Sequence, residues 1–259
     1  QKGIAVFNDI IGQYYSNKGN GDSAIYFYEK AYQIDIKNGL NINAASTLNN
    51  IGVVYQNQAN YEKATTKFSE ALQIAEKENI IFLIAICNQN IGQIYMEQGN
   101  FQKCIEIYKK VIKLHEQDKN IDGVASAYSS IAGTYVKMND TINANYYFNK
   151  AIEIFKKSEN FLELATAYSD ASIIEKDIAK RIEIKLKAQK IWNEYSPSHL
   201  SSSTNLSNLG LEYFNIVRNN LYDKIKGNPA IPQSKKLLLD KAKQYYSLAL
   251  KYSYEQNFV

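Results

Sequence analysis

Residues 48–72 read LNNIGVVYQNQANYEKATTKFSEAL, a pattern typical of two amphipathic helices joined by a short turn. Apolar residues fall on one face of the first predicted helix, at Leu48, Ile51, Gly52 and Tyr55. They fall on one face of the second at Ala64, Phe68, Ala71 and Leu72. Small side chains let paired helices approach closely, and an asparagine in the turn can cap the second helix. The stretch therefore predicts a helical hairpin.

This hairpin pattern recurs along the chain with a period of 40 residues. A small residue opens each copy, at Gly12, Gly52, Gly92 and Ala132. A second small residue follows twelve positions later, at Ala24, Ala64, Cys104 and Ala144. A later copy carries the same two positions at Gly210 and Ala242. Self-similarity at a fixed period indicates a stack of structural repeats, in which each repeat packs on its neighbours.

These residues resemble the tetratricopeptide consensus in its 40-residue form. The proline that often ends the second helix is absent, because Ile36, Glu76, Glu116 and Lys156 stand at its place. The resemblance implies an all-α fold, a right-handed α-solenoid of about six helical hairpins. We expect residues 1–259 to form a single array. Its expected repeats are 1–40, 41–80, 81–120, 121–160, 161–196 and 197–259, the last with an insertion at about 219–234.

The second half of the sequence departs from the regular period. We expect the fifth repeat to have its helices at 164–176 and 179–195, with a shortened turn between them. Residues 219–234 interrupt the sixth hairpin, and two interpretations are open: a long loop that closes two extended helices, or a contact specific to a partner. Residues 254–259 open an incomplete seventh repeat.

Composition and motifs give little support for catalysis. The two histidines, His115 and His199, lie in different repeats without ligand-spaced partners, so we expect no metal site and no cofactor. We expect His115, near a helix end, to be a cation that suits the helix dipole. The net charge of +4 has no basic cluster suited to nucleic acid, and no apolar run is long enough for a membrane span.

The tetratricopeptide resemblance also implies a peptide-binding surface on the concave face, lined by the first helix of each hairpin. The lining residues carried over to this sequence are Asp9, Gln13, Asn49, Asn50, Val53, Gln89, Asn90, Gln93, Ser129, Ser130, Gly133, Ser169, Asp170, Ser207 and Asn208. Side-chain amides both donate and accept hydrogen bonds, so they can pair with the backbone of an extended peptide. The alternative is that these amides solvate a polar face or bond to neighbouring helices.

The same resemblance suggests a protein- or peptide-binding module, possessing no enzymatic activity, in a bacterial signalling protein. Similar arrays form sensory regions of bacterial histidine kinases, in two-component systems, and of transcriptional regulators. A sensor of this kind would be periplasmic, and otherwise the chain would be cytoplasmic; homodimerisation is compatible with either. The alternatives are a stand-alone assembly scaffold and an accessory domain of an enzyme.

Overall fold

The structure, a computed structural model, describes residues 2–257, and within this range it consists of α-helices and two short 3₁₀ helices without a strand. The α-helices are α1 (Lys2–Asn17), α2 (Gly21–Lys37), α3 (Asn41–Asn57), α4 (Tyr61–Lys77), α5 (Ile81–Glu97), α6 (Phe101–Gln117), α7 (Ile121–Lys137), α8 (Thr141–Lys157), α9 (Phe161–Ala171), α10 (Ile178–Tyr195), α11 (Leu200–Arg218) and α12 (Lys235–Asn257). None of these helices is long and apolar enough to cross a membrane. Residues 254–257, where a seventh repeat is expected to open, instead continue α12, and residues 258 and 259 lie outside the described residues.

One turn type generates the 40-residue period. Helices α2 to α8 each span 17 residues, and three residues connect each helix to the next. The middle residue of every such connection has a positive φ, including Ala59 at 57° and Glu159 at 57°. In the first connection the Asn20 amide donates to the Tyr15 carbonyl at 2.9 Å, which closes a Schellman-type helix end. Each connection therefore ends one helix and begins the next with the same local backbone conformation.

Close contact between the helices of a hairpin depends on the small residues. A methyl group placed on Gly52 would lie 2.5 Å from the Phe68 ring, and one on Gly12 would lie 2.7 Å from the Tyr28 ring. The aromatic side chain sixteen residues downstream therefore occupies the space above each glycine. Asn60 caps α4 by accepting from the Lys63 amide at 3.3 Å, as the sequence predicts.

The helices group into two compact units, one extending to Ala127 and the other beginning at Tyr128. In the first unit each helix from α1 to α6 packs on the next, and Ala45, Leu48, Ala71 and Leu83 belong to one of its buried clusters. In the second unit α8 to α12 pack consecutively in the same way. The all-α solenoid fold class is confirmed by this hairpin packing, whereas the division into a single array of residues 1–259 stays a prediction.

The fifth repeat differs from the sequence-based expectation. Helix α9 begins at Phe161 and ends at Ala171, so the prediction that this helix continues to residue 176 is wrong. A 3₁₀ helix, Ser172–Ile174, follows, and Glu175 is extended with ψ of 119°. The Ser172 hydroxyl donates to the Ser169 carbonyl at 2.6 Å, a local bond that competes with regular helix hydrogen bonding.

The interruption of the sixth hairpin coincides with the connection between α11 and α12, residues 219–234. Ile225 and Ile231 are 1% and 2% exposed, and they belong to a core cluster with Leu209 and Leu238 of the flanking helices. The Asn228 amide also donates to Glu183 of α10 at 2.6 Å. The connection is therefore a packed part of the second unit.

Candidate functional site

The candidate site of the first unit is an amide row on α3 and α5, formed by Asn49, Asn50, Gln89, Asn90 and Gln93. Asn49 is buried, with 9% of its surface exposed, and the other four are partly exposed. The Asn90 side-chain amide donates to Asn49 Oδ1 at 2.8 Å, which links α5 to α3. The amide row is therefore held across the boundary between two repeats.

Asn50 stands at the corresponding position one repeat earlier. Its side chain is close enough to the Asp9 carboxylate of α1 to lower the pKa of Asp9, against the larger, raising effect of burial. A side-chain amide has two N–H donors and one carbonyl acceptor. The inter-repeat bond of Asn90 therefore fixes its side chain and still leaves one N–H and the carbonyl for a ligand.

The side chains of the two glutamines in the amide row make no hydrogen bond to a neighbouring repeat among the described residues. Gln93 Nε2 donates to Glu97 one turn later at 2.9 Å. The Gln89 backbone carbonyl accepts from the Tyr108 hydroxyl at 3.3 Å, and no bond of its side-chain amide is found among the described residues. Gln89 thus presents a flexible donor and acceptor beside the fixed asparagines.

The candidate residues of the second unit lie partly exposed on α7, α9 and α11: Ser129, Ser130, Asp170, Ser207 and Asn208. A polar network also connects α9, α10 and α11. The Ser169 hydroxyl donates to Asn205 Oδ1 at 3.2 Å, and the Asn205 amide donates to Gln189 Oε1 at 3.0 Å. This part of the surface therefore also has inter-repeat polar bonds, with more charge nearby than the sequence pattern suggested.

That charge comes from residues of α10 and α11 that the motif analysis did not select. Burial, with a smaller contribution from Glu163, raises the pKa of Asp170 to about 6, whereas Lys185 opposes this rise. Lys185 is 5% exposed, and burial lowers the pKa of its ammonium group. Arg181 of α10 binds Glu212 with two hydrogen bonds, at 2.6 and 2.9 Å. Lys185 stands at helical spacing from the apolar residues Ile182, Ala188 and Trp192, and a lysine at such a position is the signal that could have revealed it.

The repeat positions predicted to be small are all buried in the structure: Gly12, Ala24, Gly52, Ala64, Gly92, Cys104, Ala132, Ala144, Gly210 and Ala242. His115 is also buried, with 6% exposed. Burial lowers the pKa of His115 despite the nearby Asp118, so the expectation of a cationic His115 at the helix end is wrong. The neutral ring is a core side chain.

The inter-repeat bonds and the hairpin packing define an α-solenoid repeat protein with a polar surface suited to binding polypeptides. Two protein-family models match the sequence: tetratricopeptide repeat over residues 84–157, and soluble NSF attachment protein over residues 12–120. These two matches support assignment to the tetratricopeptide-repeat family. A search of curated proteins found no match.

Several solved structures have a similar fold. The apo form of the quorum sensor NprR from B. thuringiensis has a TM-score of 0.71 and 17% identity, covering 96% of this chain and 65% of that one. A Rap protein complexed with competence and sporulation factor has a TM-score of 0.69 and 16% identity, covering 97% and 75%. Aspartyl phosphate phosphatase F from Bacillus subtilis has a TM-score of 0.68 and 17% identity, covering 96% and 59%. The chain thus spans about two thirds or less of the NprR and phosphatase chains, and identities this low show the fold alone.

Proposed function

We propose that this chain binds an extended segment of another polypeptide along the amide row. The observation that carries the proposal is the inter-repeat hydrogen bond from Asn90 to Asn49. Because this bond fixes the Asn90 side chain before a ligand arrives, binding loses less side-chain entropy than it would with a free amide.

The chemistry of the amide row favours recognition of peptide backbone. Asn50 and Asn90 lie 40 positions apart at the same place in successive repeats, so each offers the same N–H and carbonyl to one ligand. A peptide bond presents one donor and one acceptor, which matches a side-chain amide whatever the peptide side chains are. The expected ligand is therefore an extended segment without internal hydrogen bonds.

The regulatory context is part of the same proposal. Proteins of similar fold include a quorum sensor and a Rap protein solved with competence and sporulation factor, and these likenesses support a regulatory role in bacteria. We propose that ligand binding changes how the repeats present a surface to an output partner. A sensory region of a histidine kinase or of a transcriptional regulator is the finer form of this proposal.

The test begins with a displayed library of random 15-residue peptides, selected on the immobilised chain. Asn90→Ala and Asn50→Ala are each expected to weaken the selected peptide about tenfold, since one to two hydrogen bonds are lost. Asn57→Ala is the matched control, because Asn57 is an exposed asparagine at the end of the same helix as Asn50.

Affinities are measured by calorimetry, and thermal unfolding of each variant verifies that it is folded. N-methylation of peptide bonds in the selected sequence is expected to weaken binding as well, because it removes backbone donors. Unchanged affinity for both asparagine variants would exclude the amide row as the binding surface.

We also propose that the role is binding without catalysis, although one protein of similar fold is named a phosphatase. Both cysteines, Cys87 and Cys104, are buried, and burial raises the pKa of Cys87 to about 12, so neither is suited to act as a nucleophile. Phosphate release from acetyl phosphate at the rate of buffer alone is the expected result.

A further inference from the structure

A small acidic cavity lies in the first unit, enclosed by α1, α2 and α3, next to the amide row. Its volume is about 210 Å³, and its lining includes Val6, Asp9, Asp35, Asn43 and Thr47. This volume is below the range of about 300–1,000 Å³ typical of sites for drug-sized ligands. The cavity is therefore of a size for one side chain or one small molecule.

The charge of the cavity is uncompensated within its lining. Among the lining residues that the structure describes, Asp9 and Asp35 are acidic and none is basic. Burial raises the pKa of both carboxyl groups, and the charge of Asp9 raises that of Asp35 further. Asp35 also lies in the last turn of α2, where the helix dipole disfavours a negative charge. A cation is the ligand that would stabilise this arrangement.

Asp35 supplies an independent reason to expect a ligand. Asp35 is 3% exposed, and Asn43 lies beside its carboxylate, where it lowers the pKa. The Oδ1 atom of Asp35, in contrast, is buried without a hydrogen-bond partner among the described residues. Buried polar atoms in folded proteins are nearly always bonded, and an unbonded one costs about 1–3 kcal/mol. An acceptor in this state within a cavity indicates a donor ligand.

The second carboxylate of the cavity, Asp9, can also accept a hydrogen bond from such a donor. Asp9 accepts from the Thr47 hydroxyl at 3.4 Å and lies beside Asn50. A carboxylate has about four lone-pair sites, so Asp9 retains acceptor capacity. Asn50 belongs to the amide row, which places the cavity beside the proposed peptide-binding surface.

We propose that this cavity binds a primary ammonium group, supplied by a lysine side chain of the bound polypeptide. An ammonium group has three N–H donors and no acceptor, which matches two carboxylates and the amide oxygen of Asn43. A divalent metal ion is less suited, because hard cations take six or more oxygen ligands. In the described part of the chain no group of three or more His, Cys, Asp or Glu side chains is arranged to hold a metal.

The first experiment does not depend on the peptide-binding function. n-Butylammonium chloride is titrated into the isotopically labelled protein, with sodium chloride at matched ionic strength as reference. Saturable amide shifts are expected at Asn43 and Thr47 of the wild type, with millimolar affinity. Asp35→Asn, which preserves the shape of the side chain, is expected to weaken this binding at least tenfold.

Glu29→Gln is the matched control, because Glu29 is an exposed acid of the same helix and its substitution removes the same charge. The proposal is overturned if Asp35→Asn and the wild type bind n-butylammonium equally, or if Glu29→Gln weakens binding as much. Saturable binding of calcium without binding of n-butylammonium would also overturn it.

The second experiment identifies the source of the ammonium group and rests on the proposed function. Peptides selected from the library are compared with versions in which each lysine is replaced by norleucine, and with N-acetylated versions. Loss of affinity on lysine replacement, present in wild type and absent in Asp35→Asn, is the expected result. If affinity falls on N-acetylation but not on lysine replacement, the ammonium group comes from the peptide N-terminus, and the assignment to a lysine side chain is overturned. If no peptide binds while n-butylammonium still does, the proposed function fails and the ammonium site stands.

Discussion

Residues 35, 75, 115 and 155 occupy the same position in the second helix of four repeats, and all four are buried: Asp35, Ala75, His115 and Phe155. In the first unit, each packs near the residue eight positions later. Ala75 shares a cluster with the larger Leu83, whereas His115 lies over a glycine. A methyl group on Gly123 would lie 2.5 Å from His115 Nδ1. Side-chain volumes at the two positions are therefore complementary.

This packing makes His115 a determinant of the pH dependence of stability. Both ring nitrogens are buried without a hydrogen-bond partner among the described residues, and burial lowers the pKa of the ring. The unfolded chain therefore binds the proton more strongly than the folded chain. Stability from the neutral ring is complete above the ordinary histidine pKa of about 6.5 and is lost as the pH falls below it.

His115→Gln is expected to remove part of this pH dependence. The wild type should lose stability relative to the variant between pH 7.5 and 5.5, by at most about 1.4 kcal/mol per pH unit for one proton. Urea unfolding at pH 7.5, 6.5 and 5.5 measures the difference. Carboxyl groups with raised pKa, such as Asp9 and Asp35, stabilise the fold more as the pH falls, which is the opposite dependence. They are present in both proteins, so their contribution cancels when the two are compared. Equal losses in the two proteins would contradict the assignment to His115.

At the scale of helices, the regular repeats could be predicted from sequence because each feature has a local cause. The apolar stripe of residues 48–72 defines the facing sides of α3 and α4, and the turn residues after each helix define its end. Asn60 and Asp140, for example, cap α4 and α8 as expected from their positions in the turns. Local propensity and tertiary packing agree in these elements, so the pattern alone is sufficient.

The features that the sequence did not predict are the early end of α9 and the role of Asp35. Both depend on contacts in the folded chain that the local sequence pattern does not encode. Residues 172–174 keep a helical sequence pattern, yet the buried Ser172 bonds back to Ser169 and α9 ends. Asp35 was missed as a candidate because the family register places ligand contacts on the first helix of a hairpin, and Asp35 lies on the second. The equivalent residues Ala75 and Phe155 show that this is a core position of the repeat. An aspartate at a core position was the sequence signal that could have identified Asp35 as a candidate.

The connection 219–234 is expected to stabilise the second unit as a core element does. Ile231→Ala should lower the free energy of unfolding by about 2–5 kcal/mol, because Ile231 is 2% exposed within a cluster of buried side chains. Ile173→Ala is the control, since Ile173 is an exposed isoleucine of the same unit, 62% accessible, and it should change stability by less than about 0.5 kcal/mol. Urea unfolding gives both values, and equal effects would show that the connection is a loosely attached loop.

For the whole molecule, repeat architecture predicts that stability passes from neighbour to neighbour. In the first unit α2 packs on α3 and α4 on α5, whereas contacts between more distant helices are few. Stability of such a stack is the sum of repeat and interface contributions. A local defect should therefore weaken adjacent hairpins more than remote ones.

Gly52→Leu tests this transmission, because the added side chain meets the Phe68 ring at the centre of the hairpin α3–α4. Ala132 shows that a single methyl group is accommodated at this repeat position, so leucine is needed to force the helices apart. We expect a loss of about 3 kcal/mol, the upper part of the usual range for overpacking. Hydrogen exchange should show the largest loss of protection in α3 and α4, and smaller losses in α2 and α5. Gly133→Leu is the control, since a side chain at Gly133 meets open space. If protection falls equally along the whole first unit, that unit unfolds in a single cooperative step, and the nearest-neighbour description of this array is wrong.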